Sequence, residues 1–241
     1  MTAESSAANR ALAQLVERQM RNWELSRAQT DRSRSTGGPE SFHHICLSHA
    51  PGLSTDALAE RLGDRLGWPV FSRDILREMA DNDNYRERIY QFMEGRDLSW
   101  IEQMAMGMAP EEPDAGDYFD RLVKTVLAIA RRGYAVFVGH DADLILPRDR
   151  GLRACLVASE EYRAKQRAQS DGIALHTARK QIHKLDEAHT DYLRRHFGRD
   201  RCGVERHDLT LNVETLSEDA LLDIIIRAAN ARHPAPDRAP A

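Results

Sequence analysis

One loop of the sequence has the residue pattern of an anion site. Residues 48–56, SHAPGLSTD, stand between an apolar run and a helical pattern. Backbone N–H groups and the positive end of the helix dipole would face an anion there. A Walker loop would add further glycines and a lysine, and this loop has a single glycine, Gly52, and no lysine. The alternative is that Ser54 or Thr55 only caps the helix, with Asp56 in its first turn.

Two arginines form a second candidate for phosphate binding. Arg163 and Arg167 lie four residues apart in a helical pattern, so their guanidinium groups share one face. Paired arginines suit a phosphate because each can donate two parallel hydrogen bonds. The alternative is a solvated basic face that is neutralised by Glu160 and Glu161.

Two further segments carry candidate polar groups. The turn Gly139-His140-Asp141 directly follows the apolar run YAVFV. A charged helical pattern over residues 183–196 then carries the candidates Asp186, His189 and Arg194. For this second segment, a mixed-charge helix surface is the default explanation.

Short apolar runs alternate with longer helical patterns from residue 43 onward, which is typical of an α/β protein with a mainly parallel sheet. In such sheets ligands bind beyond the carboxyl ends of the strands, so segments that follow strands are the places to look for a site. The sequence predicts strands at 43–48, 134–138, 153–158 and 208–213, with a short extended segment at 68–71. It predicts helices at 55–67, 118–132, 160–170, 175–197 and 217–230, and a broken helical region at 74–108.

The two ends of the chain lie outside this alternation. Apolar residues recur at helical spacing over 8–27, so residues 1–29 are predicted to be an amphipathic helical extension. Its apolar stripe packs either on its own domain or on another subunit or partner. Residues 30–41 have linker composition, 42–232 form the predicted domain, and the Pro-rich tail 233–241 is predicted to be disordered. We expect the acidic segment 109–117 to be solvated chain.

Composition excludes several classes of protein. The chain has 241 residues, with 34 basic and 38 acidic side chains and a net charge of −4, so we expect no attraction to a nucleic acid polymer. No apolar stretch approaches the ~20 residues of a membrane helix, and the start has no signal-peptide core. We therefore expect a cytoplasmic protein that binds no membrane. The three cysteines are far apart and contain no CxxC pair, so neither a disulfide framework nor a thiol-rich zinc site is indicated.

The order and spacing of several segments resemble the cytidylate kinase-like family, relatives of the P-loop nucleoside monophosphate kinases. The resemblance covers about residues 44–230. The segments that carry it are LAERLGDRLGWPVFSRDIL, VFVGHDADLIL, LRACLVASEEYRAKQRA, IHKLDEAHTDYLRRHFG and DLTLNVETLSEDALLDII. It implies a three-layer P-loop kinase-like fold, a mainly parallel sheet flanked by helices.

The resemblance also implies a function. Such proteins bind ATP and Mg²⁺ and transfer a phosphoryl group to a nucleoside monophosphate such as CMP, mostly by positioning and charge neutralisation. Carried over, the donor loop falls on Gly52 to Asp56 and includes Ser54 and Thr55, and the acceptor-side turn falls on Gly139 to Asp141. The mobile lid and its phosphoryl-transfer residues fall on Arg163, Arg167, Asp186 and Arg194, with His189 on the same helix.

This sequence departs from the family pattern at its phosphate loop. The GSGG of this branch becomes Gly52-Leu53-Ser54-Thr55 here, and Asp56 brings a negative charge toward any bound phosphate. In nucleoside monophosphate kinases, Thr55 would align with the loop lysine and Asp56 with the magnesium-binding hydroxyl. We therefore expect this loop to bind a nucleoside triphosphate weakly.

Three expected arginines are histidines: His49, His140 and His189. Histidine is mostly neutral at pH 7 and lacks the bidentate fork of arginine. Three hypotheses follow. The protein is a catalytically inactive pseudokinase that binds a nucleotide or a protein. Alternatively, the site stays competent through backbone N–H groups of the first loop and through four arginines, Arg163, Arg167, Arg194 and Arg195. In the third, the three histidines join Asp141 or Asp186 in a metal site.

Overall fold

The structure, a computed structural model, describes residues 3–34, 44–108, 116–139, 142–148, 151–197 and 204–232. The strands in these residues form one parallel sheet in the order β2-β3-β1-β4-β5. They are β1 His44–His49, β2 Val70–Phe71, β3 Ala135–Val138, β4 Gly151–Val157 and β5 Leu209–Asn212. The helices are α1 Ala3–Arg34, α2 Asp56–Leu66, α3 Arg73–Asp81, α4 Asp83–Tyr90, α5 Gly95–Met106, α6 Gly116–Arg132, α7 Ala142–Ile145, α8 Glu160–Asp171, α9 Leu175–Phe197 and α10 Glu218–Arg232. A 3₁₀ turn, Val204–Arg206, precedes β5.

The sheet is covered on both faces. Successive residues of the central strand β1 point to opposite sides. Ile45 and Leu47 pack into the core that contains α2 and α10, and Cys46 packs into the core that contains α3 and α6. The predicted three-layer α/β fold with a mainly parallel sheet is therefore confirmed.

The broken helical region between β2 and β3 consists of α3, α4 and α5. Asn82 separates α3 from α4, and its side chain accepts a hydrogen bond from the Asn84 N–H at 3.1 Å. At the start of α5, Glu94 and Asp97 form a capping box. Polar caps inside an otherwise helical pattern thus divide the region into three helices.

The amino-terminal helix α1 packs on its own domain. Val16, Met20 and Trp23 have no exposed surface, and the Trp23 indole donates a hydrogen bond to the Ile129 carbonyl at 3.1 Å. The Gln19 side chain accepts a hydrogen bond from the Val70 N–H at 2.9 Å, so α1 also covers the edge strand β2. Of the two packing alternatives, the one within the domain is found.

The bounds of α1 differ from the prediction. The helix continues to Arg34, so residues 30–34 of the predicted linker are helical. Residues 35–43, 109–115 and 233–241, which hold the rest of that linker, most of the acidic segment and the tail, lie outside the described residues. Within the described part of the chain, no helix is both long enough and apolar enough to cross a membrane.

Candidate functional site

The loop between β1 and α2 turns sharply at the carboxyl edge of the sheet. Gly52 has φ +84°, a left-handed conformation that favours glycine. The turn is held by the Ala50 N–H, which donates to the Leu156 carbonyl at 2.9 Å, and by the Leu53 N–H, which donates to the Ala50 carbonyl at 3.2 Å. Gly52 therefore has the role of a turn glycine at the predicted anion site.

A cavity of about 620 Å³ opens beside this loop, between α8 and the start of α10. Its apolar wall comes from β4, α2 and the segment that follows β5. Its polar side chains include Gln166, Arg167 and Ser170 of α8. The lining residues are Gly52, Leu53, Ser54, Thr55, Asp56, Leu58, Leu156, Tyr162, Gln166, Arg167, Ser170, Val213, Leu216, Glu218 and Leu221.

The start of α2 does not use a side-chain cap. Thr55 occupies the cap position and is buried, but its side chain makes no capping hydrogen bond. The interpretation of Ser54 or Thr55 as a simple helix cap is therefore wrong for Thr55, because its backbone conformation does not aim the hydroxyl at the first-turn N–H groups. Asp56 is exposed at the helix start and faces the cavity.

Arg163 is engaged by protein groups. Its Nη1 donates to Asp186 Oδ1 at 2.7 Å and to the Pro51 carbonyl at 2.8 Å, and its Nη2 donates to Asp186 Oδ2 at 2.9 Å. The Arg163 side chain is 9% exposed. These contacts join α8, α9 and the β1–α2 loop.

Arg167 is one turn further along α8 and has a different environment. It lines the cavity and remains 36% exposed. Its Nε donates to Gln181 Oε1 at 2.8 Å, and its Nη2 lies 3.2 Å from Asp171 Oδ2. Although the two arginines share a helix, only Arg167 faces the cavity.

The helix α9 lies over the β1–α2 loop. A Cβ on Gly52 would collide with Ile182 Cδ1, and Leu185 Cδ1 would lie 3.9 Å from it. Further along α9, His189 is half-buried, and Arg194 is 55% exposed with Nη1 3.8 Å from Asp191 Oδ1. The structure therefore brings Asp186 to the loop through Arg163, and it leaves Arg194 on the exposed surface of the helix.

The turn after β3 adjoins His49. Gly139 has φ +70°, and its N–H donates to the Leu47 carbonyl at 3.1 Å. A Cβ at Gly139 would lie 3.7 Å from His49 Nε2, so the ends of β1 and β3 bring these two residues together. His140 and Asp141 lie outside the described residues. Because His140 belongs to the histidine metal hypothesis, that hypothesis stays a prediction, and the described residues contain no group of three His, Cys, Asp or Glu that could hold a metal ion.

The comparison with protein families decides the relationship. Residues 44–215, from β1 to the turn after β5, match the model of the Cytidylate kinase-like family. The chain belongs to this family. The proposed resemblance is confirmed, and α1 precedes the matched part.

Individual relatives agree with this assignment. The "Cytidylate kinase" of Ignicoccus hospitalis is 26% identical over 184 residues, which cover 76% of this chain and 96% of the relative. The "Cytidylate kinase" of Methanopyrus kandleri is 27% identical over 191 residues, which cover 75% and 90% respectively. A crystal structure of an uncharacterized protein from Eubacterium ventriosum has a TM-score of 0.62 at 18% identity, covering 79% of this chain and 99% of that one, so it supports the fold alone.

Sequence reasoning missed one polar cluster of this cytidylate kinase-like chain. Asp143 on α7 is fully buried and accepts a hydrogen bond from the Ser48 hydroxyl at 2.8 Å. Arg206 Nε and His207 Nε2 lie 3.2 and 3.5 Å from its second oxygen. Burial, and then the negative charge of Asp143, raise the pKa of the Cys46 thiol well above its usual value. An acidic residue inside the apolar run ADLIL was the signal that could have found this cluster.

Proposed function

We propose that this chain binds a nucleotide in the cavity beside the β1–α2 loop and slowly transfers a phosphoryl group from ATP to a nucleoside monophosphate such as CMP. The observation that carries the proposal is the position of the cavity, at the loop where this family would place its donor phosphates. Two relatives carry the name cytidylate kinase, which supports the reaction class.

The cavity suits the apolar and polar parts of a nucleotide. Its volume of about 620 Å³ lies within the range of small-molecule sites. Leu156, Val213 and Leu216 provide an apolar wall against which a base would pack, and Gln166 and Ser170 provide hydrogen-bonding groups. A flat heterocycle with polar edges is the class of ligand that such a wall accommodates.

A magnesium ion shared with substrate phosphates requires only one or two protein carboxylates. Asp56 fits this requirement because it is exposed and lines the cavity at the start of α2, directly after the hydroxyl-bearing residues Ser54 and Thr55. Bound Mg²⁺ would neutralise phosphate charge. Without Mg²⁺, the same carboxylate repels the phosphates.

Side chains of the protein provide the other functions that binding and transfer require. Arg167 is the described arginine that lines the cavity, so we assign it to the donor phosphates. The Arg163 contacts with Asp186 and Pro51 hold helices α8 and α9, which together form the α8–α9 arm, over the β1–α2 loop, where Ile182 covers Gly52. His49 and Gly139 stand at the strand ends, on the side assigned to the acceptor. Slow transfer follows because the loop keeps only the first glycine of the family pattern and Arg163 is already paired.

A second candidate is a nucleotide-binding protein without catalysis. The bidentate Arg163–Asp186 ion pair favours it, because a phosphate would have to displace a carboxylate to reach this guanidinium. A protein-interaction role through the α1 stripe is not part of the proposal, since Val16, Met20 and Trp23 are covered by the domain itself.

Measuring ADP formed from ATP–Mg²⁺ with and without CMP separates the two candidates. The kinase proposal predicts slow, CMP-dependent ADP formation that Arg167→Ala reduces by about tenfold or more, because a charge-assisted hydrogen bond is lost. Lys165→Ala is the matched control, since Lys165 is exposed on the same helix and does not line the cavity. If Arg167→Ala leaves ADP formation unchanged, the assignment of Arg167 is contradicted. If neither the wild type nor any variant forms ADP in a CMP-dependent way, the kinase proposal fails and the nucleotide-binding candidate without catalysis is favoured.

A further inference from the structure

The buried carboxylate of Asp143 is unexplained by any step proposed above. Asp143 has no exposed surface and lies on the four-residue helix α7, four residues after Gly139. Removing a carboxylate from water costs several kcal/mol unless charges and hydrogen bonds offset it. The Ser48 hydroxyl at 2.8 Å and the Arg206 guanidinium at 3.2 Å provide these interactions.

Asp143 and these two partners come from three separate parts of the fold. Ser48 is the penultimate residue of β1, and Asp143 lies on α7, which follows β3. Arg206 ends the 3₁₀ turn between α9 and β5. One carboxylate therefore ties together three segments at the same edge of the sheet.

This network lies next to the residues that present the proposed site. His49 follows Ser48 directly, and its Nε2 faces Gly139. Its Nδ1 lies 3.2 Å from the Ala50 carbonyl, at the start of the β1–α2 loop. Ser48 and His49 share a peptide unit, so the backbone position of Ser48 also sets where the His49 side chain begins.

We propose that Asp143 is a positioning residue for the nucleotide site, which through Ser48 and Arg206 fixes the carboxyl end of β1 and the direction of the His49 imidazole. This inference rests on the proposed function in assigning that edge to a nucleotide. The Ser48 hydrogen bond and the Arg206 ion pair both act on the Asp143 carboxylate in a buried, low-dielectric environment, which strengthens them and favours one geometry. The role is to orient groups that face the ligand, since the Asp143 carboxylate itself is inaccessible.

The chain offers a matched control for a purely structural role. Asp97 on α5 and Arg131 on α6 form another buried ion pair, with Asp97 Oδ1 2.6 Å from Arg131 Nε. Both carboxylates are buried and paired with arginine, but Asp97 belongs to the helices between β2 and β3. Asp143→Asn and Asp97→Asn therefore remove the same charge in two different places.

The experiment measures the melting temperature, the dissociation constants for CMP and ATP–Mg²⁺, and the His49 imidazole signals in NMR spectra of the ligand-free protein. We expect both variants to melt earlier. At a temperature well below melting, Asp143→Asn weakens nucleotide binding by about tenfold, and Asp97→Asn leaves it within twofold. Equal effects of the two variants on binding would overturn the inference.

Ser48→Ala is the milder test if Asp143→Asn does not fold, because it leaves the carboxylate paired with Arg206. We expect it to shift the His49 signals, which are assigned by comparison with His49→Gln, and to weaken nucleotide binding by about fivefold. If the wild type binds neither nucleotide, the proposed function fails, and the His49 signals still test the positioning role. Unshifted His49 signals in both Ser48→Ala and Asp143→Asn would contradict it.

Discussion

At the scale of single residues, the charges around the cavity decide which ligand it holds. Asp56 and Glu218 are acidic, and Arg167 is basic. Glu218 is held by Arg61, whose Nη1 lies 2.5 Å from its carboxylate, so Asp56 is the acidic group that a phosphate meets. Under the proposed function, Asp56 is therefore expected to discriminate against a metal-free triphosphate.

Replacing Asp56 by asparagine tests this discrimination. We expect Asp56→Asn to strengthen binding of ATP in the presence of EDTA by about two- to fivefold, because a like charge is removed from the start of α2. With Mg²⁺ present we expect no gain, because Asp56 would then help to hold the metal and its charge would be neutralised. Titration calorimetry checks both conditions, with exposed Asp64→Asn on the same helix as control. Weaker binding without Mg²⁺ would contradict the assignment of Asp56.

The Arg163–Asp186 pair gives the second residue-scale prediction. Asp186→Asn weakens the ion pair that holds the α8–α9 arm over the β1–α2 loop, so we expect the affinity for ATP–Mg²⁺ to fall by about threefold or more. Arg163→Ala should lower it, because the arm loses its contact with the Pro51 carbonyl. Asp191→Asn is the matched control on α9, since Asp191 is 69% exposed and lies 3.8 Å from Arg194. Higher affinity in Asp186→Asn would contradict this role and would show that the carboxylate instead keeps the Arg163 guanidinium from a phosphate.

Gly52 is the third case, because it combines a left-handed φ with a close neighbour. We expect Gly52→Ala to lower the free energy of unfolding by about 2–4 kcal/mol, since backbone strain adds to the collision with Ile182. Gly172→Ala is the control: its φ is +63°, but nothing lies within 4 Å of the added Cβ. That variant should lose only about 1 kcal/mol in urea denaturation. Equal losses would mean that α9 does not rest on the loop.

At the scale of elements, α1 is an integral layer of the domain. Arg88 of α4 binds Glu17 and Glu24 of α1, and the Arg27 guanidinium lies 3.9 Å from the centre of the Phe92 ring. Together with the buried Val16 and Trp23, these contacts connect α1 to the helices between β2 and β3 and to α6.

A charge in the α1 stripe tests this packing. We expect Val16→Asp to lower the free energy of unfolding by at least about 3 kcal/mol, because an unpaired carboxylate would be buried. Leu25→Asp on the same helix should have little effect, since Leu25 is 61% exposed. Urea denaturation measures both variants. A stable Val16→Asp protein that has lost self-association would instead assign the stripe to an interface.

At the scale of the whole molecule, the sequence predicted the layers of the fold but not the contacts between them. Alternation places β1, β3, β4 and β5 within two residues of their observed bounds, because buried parallel strands are short apolar runs. The helix α7 was missed, since four residues show no periodicity, and the buried role of Asp143 was missed with it.

The candidate site was predicted in part. Positions that follow strands identified Gly52, Thr55 and Gly139, because topology alone brings strand ends to one edge. The Arg163–Asp186 pairing could not be read from the sequence, since the two residues belong to different helices whose packing sets the distance. For α1, periodicity revealed the stripe, but periodicity does not identify the surface that covers it.

The account rests on nucleotide binding in the cavity beside the β1–α2 loop, and calorimetric titration at pH 6 and pH 8 tests this most directly. The ligands are ATP–Mg²⁺ and CMP, and the proteins are the wild type, Arg167→Ala and Lys165→Ala. The account predicts that wild type and Lys165→Ala bind ATP–Mg²⁺ at both pH values, while Arg167→Ala binds it about tenfold more weakly. No heat of binding from the wild type with either ligand at either pH would contradict it.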